Sequence, residues 1–138
     1  EEVEVGGLQV IGPRERKADL ASGAMSREAA ISGELVGAEK LWVGWVELGP
    51  GLVSRVHHHG ESESAIFIAS GRARFYSGED LDEVHEAGAG DFVWVPPKLV
   101  HVEVNVSDLE PVQMVVVRST QEAIVVNLEA PSSWSPPR

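Results

Sequence analysis

The sequence contains no cysteine, which excludes disulfide bonds, thiolate catalysis and cysteine-based zinc sites. It is also short of positive charge, with 11 lysines and arginines against 22 aspartates and glutamates and a formal net charge of −11. A chain this acidic repels phosphate backbones, so we expect no nucleic-acid partner.

The sequence also has no apolar run near the roughly 20 residues that a membrane-spanning helix needs. Residues 1–5 read E-E-V-E-V and show neither the basic start nor the apolar core of a signal peptide. We therefore expect a cytoplasmic protein that makes no contact with a membrane.

The length and the hydrophobic content indicate one globular domain, because 138 residues of which 43% are hydrophobic are enough to bury a core. Short apolar and β-branched runs alternate with Gly, Pro and Ser-rich turns, and no long helical periodicity appears. The segments predicted as strands are 3–11, 28–32, 40–48, 52–59, 63–70, 72–77, 81–86, 92–97, 100–106, 112–117 and 123–128. This pattern predicts an all-β sandwich or barrel of about ten short strands, in a single domain over residues 1–138. The tail from 129 to 138 is predicted to be loose apart from Trp134.

Three consecutive histidines stand near the middle of the chain, between two predicted strands. Side chains alternate between faces along a strand, so His57 and His59 point one way and His58 the other. Gly60 permits a tight turn, after which Glu63 begins the next strand. Two imidazoles and a carboxylate from neighbouring strands can bind a divalent metal ion. The alternative is a solvated histidine-rich loop.

A second stretch, residues 90–105, reads G-D-F-V-W-V-P-P-K-L-V-H-V-E-V-N. Together with residues 51–71 it resembles the paired motifs of the cupin superfamily, whose members are small jelly-roll β-barrels. The first motif is G, five residues, H-x-H, three or four residues, E, about six residues, G, and it is matched by Gly51, His57, His59, Glu63 and Gly71. The second is G, five residues, P-x-G, two residues, H, three residues, N, and it is matched by Gly90, Pro96, His101 and Asn105.

The resemblance implies a metal site with four protein ligands, which are His57, His59, Glu63 and His101. It further implies one divalent ion, which on ligand chemistry is Fe, Mn, Ni, Co or Zn.

Two positions depart from the family pattern. Lys98 occupies a glycine position of the second motif, so we expect that turn to be made differently, with Pro96 and Pro97 supplying rigidity. The closing glycine of the first motif also lies one residue further from Glu63 than usual, and counting back from it reaches Ser64. We favour Glu63 as the ligand, with a small bulge absorbing the extra residue. The alternative is a site of three histidines.

Two charged residues share a predicted face with the ligands. Arg55 precedes His57 by two residues on the predicted strand, so both side chains are expected to point to the same face. An inward guanidinium would hold a carboxylate or phosphate group of a substrate. The alternative is that Arg55 forms a salt bridge at the barrel mouth. Glu103 follows His101 by two residues and is expected on the same face. We predict that Glu103 acts as a general base or as a hydrogen-bond acceptor that orients a metal ligand. The alternative is a solvated carboxylate at the barrel rim. His85 needs no function.

The superfamily contains many chemistries, so the fold does not choose among them. The first hypothesis is a small metalloenzyme that acts on a small oxygenated molecule, either as a dioxygenase or as a Lewis-acid isomerase or lyase. The second is a non-catalytic module that binds a metal or a small ligand.

A homodimer is also expected. The predicted strand 40–48 carries apolar residues on both faces, and such a strand is normally buried on both. The terminal segments 3–11 and 123–128 are the candidates for covering its outer face, either within one chain or across a dimer.

Overall fold

The computed structural model describes residues 5–19, 23–121 and 124–137. Its strands are β1 (Lys17–Ala18), β2 (Ser26–Ile31), β3 (Trp42–Leu48), β4 (His57–His58), β5 (Ser64–Ser70), β6 (Arg72–Ser77), β7 (Glu83–Gly88), β8 (Phe92–Val95), β9 (His101–Val104), β10 (Val112–Arg118) and β11 (Val126–Asn127). One short helix, α1 (Gly33–Val36), follows β2. No helix in these ranges is long and apolar enough to cross a membrane.

The strands form two antiparallel sheets with crossing connections between them. One sheet has the order β1-β2-β3-β10-β5-β8 and the other β11-β4-β9-β6-β7. Consecutive strands such as β3, β4 and β5 therefore switch from sheet to sheet, as in a jelly roll. The predicted all-β jelly-roll class is confirmed.

The main core lies on the inner faces of both sheets. Strands β3 and β10 alternate strictly between buried and half-buried residues, which explains why their sequences read as strands. The buried set is dominated by branched and aromatic side chains, and its largest members include Trp42, Leu48, Ile68 and Met114.

A second, smaller cluster packs on the other face of β9 and includes the tail. Val102 is fully buried with Val56 and Leu81, and Tyr76 and Trp134 pack against them. The Trp134 ring meets that of Tyr76 at 5.6 Å. Part of the tail predicted to be loose is thus anchored by one tryptophan.

Three predicted strands are wrong over most of their described length, and one of them, 123–128, holds only β11 (Val126–Asn127). In the predicted strand 3–11, residues 5–11 form no strand because no partner strand lies beside them, and Val5, Leu8 and Val10 are exposed. Residues 3 and 4 of this predicted strand fall outside the described ranges. Residues 52–59 hold only β4, since the chain bends at Val56 before it.

The expectation that the turn at Lys98 is made differently from a glycine turn is also wrong. Lys98 itself adopts φ of 64°, the left-handed conformation that glycine enters without steric cost. Its N–H donates to the Gly60 carbonyl oxygen at 2.7 Å, and its ammonium pairs with Glu61. The hydrogen bond ties the second motif to the turn that follows the histidines.

The outer face of the larger sheet is apolar across four adjacent strands. The strand register places Trp45, Val115, Phe67 and Phe92 side by side in one row. The next row is Val43, Val117, Ala65 and Trp94. Phe92 and Trp94 are 78% and 65% exposed, which is unfavourable for large aromatic side chains that meet only water.

We therefore keep the prediction of a homodimer, with this outer face as its interface. Light scattering after size exclusion is expected to give about twice 14.8 kDa. Phe92→Glu is expected to shift the particle to the monomer, because a charge would be buried in the interface. Leu109→Glu, at a residue 89% exposed outside these rows, is the control and leaves the mass unchanged. A monomer in the unmodified protein at micromolar concentration contradicts the prediction.

Candidate metal centre

Three imidazoles meet inside the barrel, and strand register explains why. His57 on β4 lies directly opposite His101 on β9, and His59 follows two residues after His57 on the same face. The three ring centroids lie 4.2 to 5.1 Å apart. All three side chains are buried, with His57 only 1% exposed. Among the described residues, this is the group of ligand atoms that could hold a metal ion.

Each imidazole is fixed by a main-chain carbonyl oxygen at its Nδ1 atom. His57 contacts the carbonyl of Arg55 at 2.6 Å, His59 that of Ile124 at 2.8 Å and His101 that of Leu99 at 2.9 Å. A carbonyl oxygen only accepts, so Nδ1 carries the hydrogen in all three rings. The lone pair is then on Nε2, the nitrogen that a metal binds when the other nitrogen is held in this way.

The protonation states also suit a metal site. Burial lowers the pKa of His57 to about 4, although the nearby Glu103 carboxylate opposes the shift. Burial also lowers the pKa of His59 to about 2, and the Arg118 guanidinium adds to the effect. Both rings are therefore neutral at pH 7, and only a neutral imidazole donates a lone pair to a metal.

Glu103 brings a buried carboxylate next to two of the three imidazoles. It is 4% exposed, and its oxygens lie 3.8 Å from His57 Nε2 and 3.9 Å from His101 Nε2. Its main chain is held by Ser54, whose N–H donates to the Glu103 carbonyl while its hydroxyl accepts from the Glu103 N–H. Within the described part of the chain, Glu103 Oε2 and His101 Nε2 have no hydrogen-bond partner.

The three histidines fit one divalent ion, and the Glu103 carboxylate lies beside two of them. The histidine ligand atoms lie within 4.8 Å of one another. Ligand atoms around an ion with bonds of about 2.1 Å lie roughly 3 to 3.4 Å apart. Side-chain movements of an ångström or less would therefore close the set. The unpartnered Nε2 and carboxylate oxygen lie where such an ion would satisfy them.

The predicted ligand Glu63 is placed on the other side of the sheet, and its predicted convergence with the imidazoles is wrong. Glu63 is exposed and accepts a hydrogen bond from Trp94 Nε1 at 2.8 Å on the outer face. The bulge in β5 occurs near Ser70, opposite Gln113 and Met114, and does not turn Glu63 inward. Ser64 is the inward residue, 2% exposed, so the register follows the spacing to the closing glycine.

That closing glycine, Gly71, explains why the spacing decides the register. It has φ of 82°, and a Cβ there would lie 2.4 Å from the Pro111 carbonyl oxygen. Only glycine fits this turn, so its position fixes which residues of β5 face inward.

The predicted inward orientation of Arg55 is wrong as well. Arg55 is exposed and does not line the cavity beside the histidines. The bend at Val56 resets the alternation, so that Val56 and His57 are both buried and Arg55 no longer shares a face with His57. Its contribution to the site is its carbonyl oxygen.

The remaining motif residues have structural contacts. His58 is half-buried and its Nδ1 accepts from the Gly60 N–H, whereas His85 is exposed on β7. Asn105 lies beyond the site, with its Nδ2 within hydrogen-bonding distance of the carbonyls of Leu48, Gly49 and Glu110.

Two buried arginines beside the histidines were missed in the sequence. Arg27 was placed in a polar loop but lies on β2, facing inward, and Arg118 lies one residue past the predicted end of β10. They are 6% and 3% exposed. Met114 and Val116 face inward, and the same alternation continued by two residues would have predicted that Arg118 also faces inward.

Two cavities reach the histidines from different sides. A small one of about 20 Å³ is lined by His57 and His59 together with Ser64, Glu103 and both buried arginines. A wider one of about 540 Å³ opens between the edge strands β7 and β8 and ends at His101. The wider cavity offers a route for a small molecule.

A family model described as "Cupin domain" matches residues 44–118, which is more than half of the chain. The protein therefore belongs to the cupin-domain family, as its two motifs implied. No curated protein matches the sequence.

Solved structures agree on the fold. The chain is similar to the polyketide cyclase RemF from Streptomyces resistomycificus, with a TM-score of 0.73, 18% identity and coverage of 92% of this chain and 89% of that one. A double-stranded β-helix protein from Klebsiella pneumoniae gives 0.68 at 21% identity, covering 89% and 99%. Oxalate decarboxylase from Bacillus subtilis gives 0.72 at 18% identity, covering 91% of this chain but only 34% of that one. At these identities the likeness shows the fold alone.

Metal uptake tests the three-histidine group directly. Elemental analysis of purified protein is expected to find about one divalent ion per chain. His101→Ala is expected to weaken metal binding by at least about 10-fold, since even supporting contacts contribute 10- to 100-fold. His58→Ala is the matched control, because its ring faces away and the variant should bind as the unmodified protein does. Equal metal binding by both variants contradicts the assignment.

The two glutamates give a second matched pair. Glu103→Gln is expected to weaken metal binding by about 10-fold or more, because it removes the buried negative charge beside the imidazoles. Glu63→Gln is expected to leave metal affinity unchanged, because that carboxylate lies on the outer face. Titration calorimetry with both variants separates them, and the reverse ranking would show that Glu63 reaches the metal after all.

Proposed function

We propose that this protein is a cupin that holds one divalent metal ion with His57, His59, His101 and Glu103, and that it is an enzyme acting on a small oxygenated molecule. The observation that supports the metal centre is the convergence of three imidazoles inside the barrel, with a buried carboxylate within 4 Å of two of them. Fe, Mn, Ni, Co and Zn all suit this mixture of imidazole and carboxylate ligands.

The residues of the chain have separate tasks in this proposal. The three imidazoles hold the ion through Nε2 while their Nδ1–H groups keep the rings oriented. Glu103 takes the carboxylate position that the motif assigns to Glu63, and supplies the negative charge that offsets the ion. A bound divalent ion acts as a Lewis acid and stabilises negative charge on a substrate oxygen.

Substrate would approach through the wider cavity between β7 and β8. This cavity ends at His101, and its walls combine apolar side chains, among them Phe75, Val95 and Leu99, with polar ones that include Glu83, Glu86 and Asp91. Apolar walls exclude competing water and so strengthen the interaction between the ion and a substrate oxygen. Dioxygenation and Lewis-acid isomerisation or elimination are the reactions that this arrangement suits.

A non-catalytic metal or small-ligand binding module is the second candidate. The observation that favours it is the small cavity beside His57 and His59, whose volume of about 20 Å³ holds little more than one water-sized group. Such a module would keep the metal site and lack turnover.

Screening decides between the two candidates. Protein loaded with Fe(II) or Mn(II) is expected to convert at least one member of a panel of diols, keto acids and sugar phosphates, with His101→Ala inactive and His58→Ala active. Activity retained in both variants would indicate a contaminating enzyme. Metal-loaded protein that binds panel members without turning any over would support the binding module instead.

A further inference from the structure

Two arginines face the interior next to the proposed metal centre. Arg27 on β2 and Arg118 at the end of β10 both lie against the buried Trp42 ring, at 4.3 and 5.5 Å from its centroid. They line the same small cavity as His57 and His59. Both are more than nine-tenths buried.

Three of the six guanidinium nitrogens of these two arginines are buried without an acceptor among the described residues. Within the described part of the chain, Arg27 Nε and Nη2 and Arg118 Nε are buried without a hydrogen-bond partner. Arg118 Nη1 donates to the Ile124 carbonyl oxygen at 3.1 Å, the same oxygen that accepts from His59. A buried guanidinium with unmade hydrogen bonds is unfavourable, and a planar anion would satisfy two donors at once.

Both guanidiniums keep their charge. Burial lowers the pKa of Arg27 to about 10, and burial together with the neighbouring Arg27 lowers that of Arg118 to about 9. The carboxylates that act in the opposite direction on both are Glu103, which is buried, and Asp19, which is exposed. At pH 7 two buried cations therefore stand against one buried carboxylate, Glu103, among the described residues.

The imbalance grows when the metal centre is filled. A divalent ion would raise the charge of Arg27, Arg118 and the ion together to four, while Glu103 is the buried carboxylate found among the described residues. Buried charge of one sign is strongly unfavourable without a counter-ion. An anion that enters with the substrate would correct the imbalance.

We propose that Arg27 and Arg118 form an anion subsite that receives the carboxylate group of a small carboxylic acid beside the metal centre. This rests on the proposed function, whose substrate it specifies as a short-chain carboxylate. The planar forks of two guanidiniums match the two oxygens of a planar carboxylate, whereas a tetrahedral phosphate presents its oxygens out of that plane. The subsite takes over the task that the sequence suggested for Arg55.

Binding to unmodified protein is the first arm of the test. Acetate and malonate are titrated into the metal-free and the zinc-loaded protein, with acetamide as the neutral analogue of acetate and inorganic phosphate as the tetrahedral anion. Calorimetry and the Nε–Hε NMR signals of the arginines provide the readout. We expect the two carboxylates to bind and to shift the Arg27 and Arg118 signals, and acetamide not to bind. Phosphate binding as tightly as acetate would overturn the carboxylate assignment.

Variants form the second arm. Arg27→Met and Arg118→Met are each expected to weaken acetate binding by at least 10-fold while metal affinity is retained or increased, because a repelling cation is removed. Arg16→Met is the matched control, since the Arg16 guanidinium also lies over a tryptophan, Trp45 at 5.2 Å, but outside the cavity. Arg27→Lys, which keeps the charge, is expected to lose less affinity than Arg27→Met.

The two arms also separate this subsite from the metal proposal. Protein that takes up metal but binds no carboxylate, or binds it equally in all variants, overturns the subsite and leaves the metal centre standing. Protein that binds acetate through Arg27 and Arg118 but takes up no metal supports the subsite and contradicts the proposed function. Should a methionine variant fail to fold, the signal shifts in unmodified protein decide the question.

Discussion

The site depends on three hydrogen bonds in which a main-chain carbonyl oxygen accepts from an imidazole Nδ1. These contacts, made to Arg55, Ile124 and Leu99, choose the tautomer of each ring and direct the three Nε2 lone pairs to one point. Two acceptors lie two residues before their own histidine, whereas Ile124 reaches His59 from the far end of the chain. Burial then keeps His57 and His59 uncharged, so the fold prepares a ligand set that a cation completes.

The charges around the ligand set follow from the same burial. One carboxylate, Glu103, lies within 4 Å of two imidazoles, and two guanidiniums stack on Trp42 beside them. A cation alone would leave the interior more positive than it already is. The metal centre and the anion subsite are therefore expected to be filled together, which restricts the substrate more than the family fold does.

Sequence patterns predicted the jelly roll, the three histidines and the inward face of Glu103 because alternation holds along well-formed strands such as β9 and β10. They failed where local backbone geometry interrupts the alternation. The bend at Val56 turned Arg55 outward, and the turn at Gly71 fixed Ser64 rather than Glu63 as the inward residue. Neither effect can be read from spacing alone, since both depend on which carbonyls and side chains lie across the turn. The arginines were missed because Arg27 was assigned to a loop and Arg118 lies one residue past a predicted strand end, and charged residues are rarely buried.

The central claim is that main-chain carbonyl oxygens hold all three imidazoles as Nδ1–H tautomers whose Nε2 atoms face a common point. The most direct test is ¹⁵N NMR of the imidazole nitrogens in metal-free protein at pH 7. The account predicts protonated Nδ1 and unprotonated Nε2 for His57, His59 and His101, with only the Nε2 signals moving strongly when Zn²⁺ is added. A protonated Nε2 in any of the three rings, or no change on adding Zn²⁺, would contradict it.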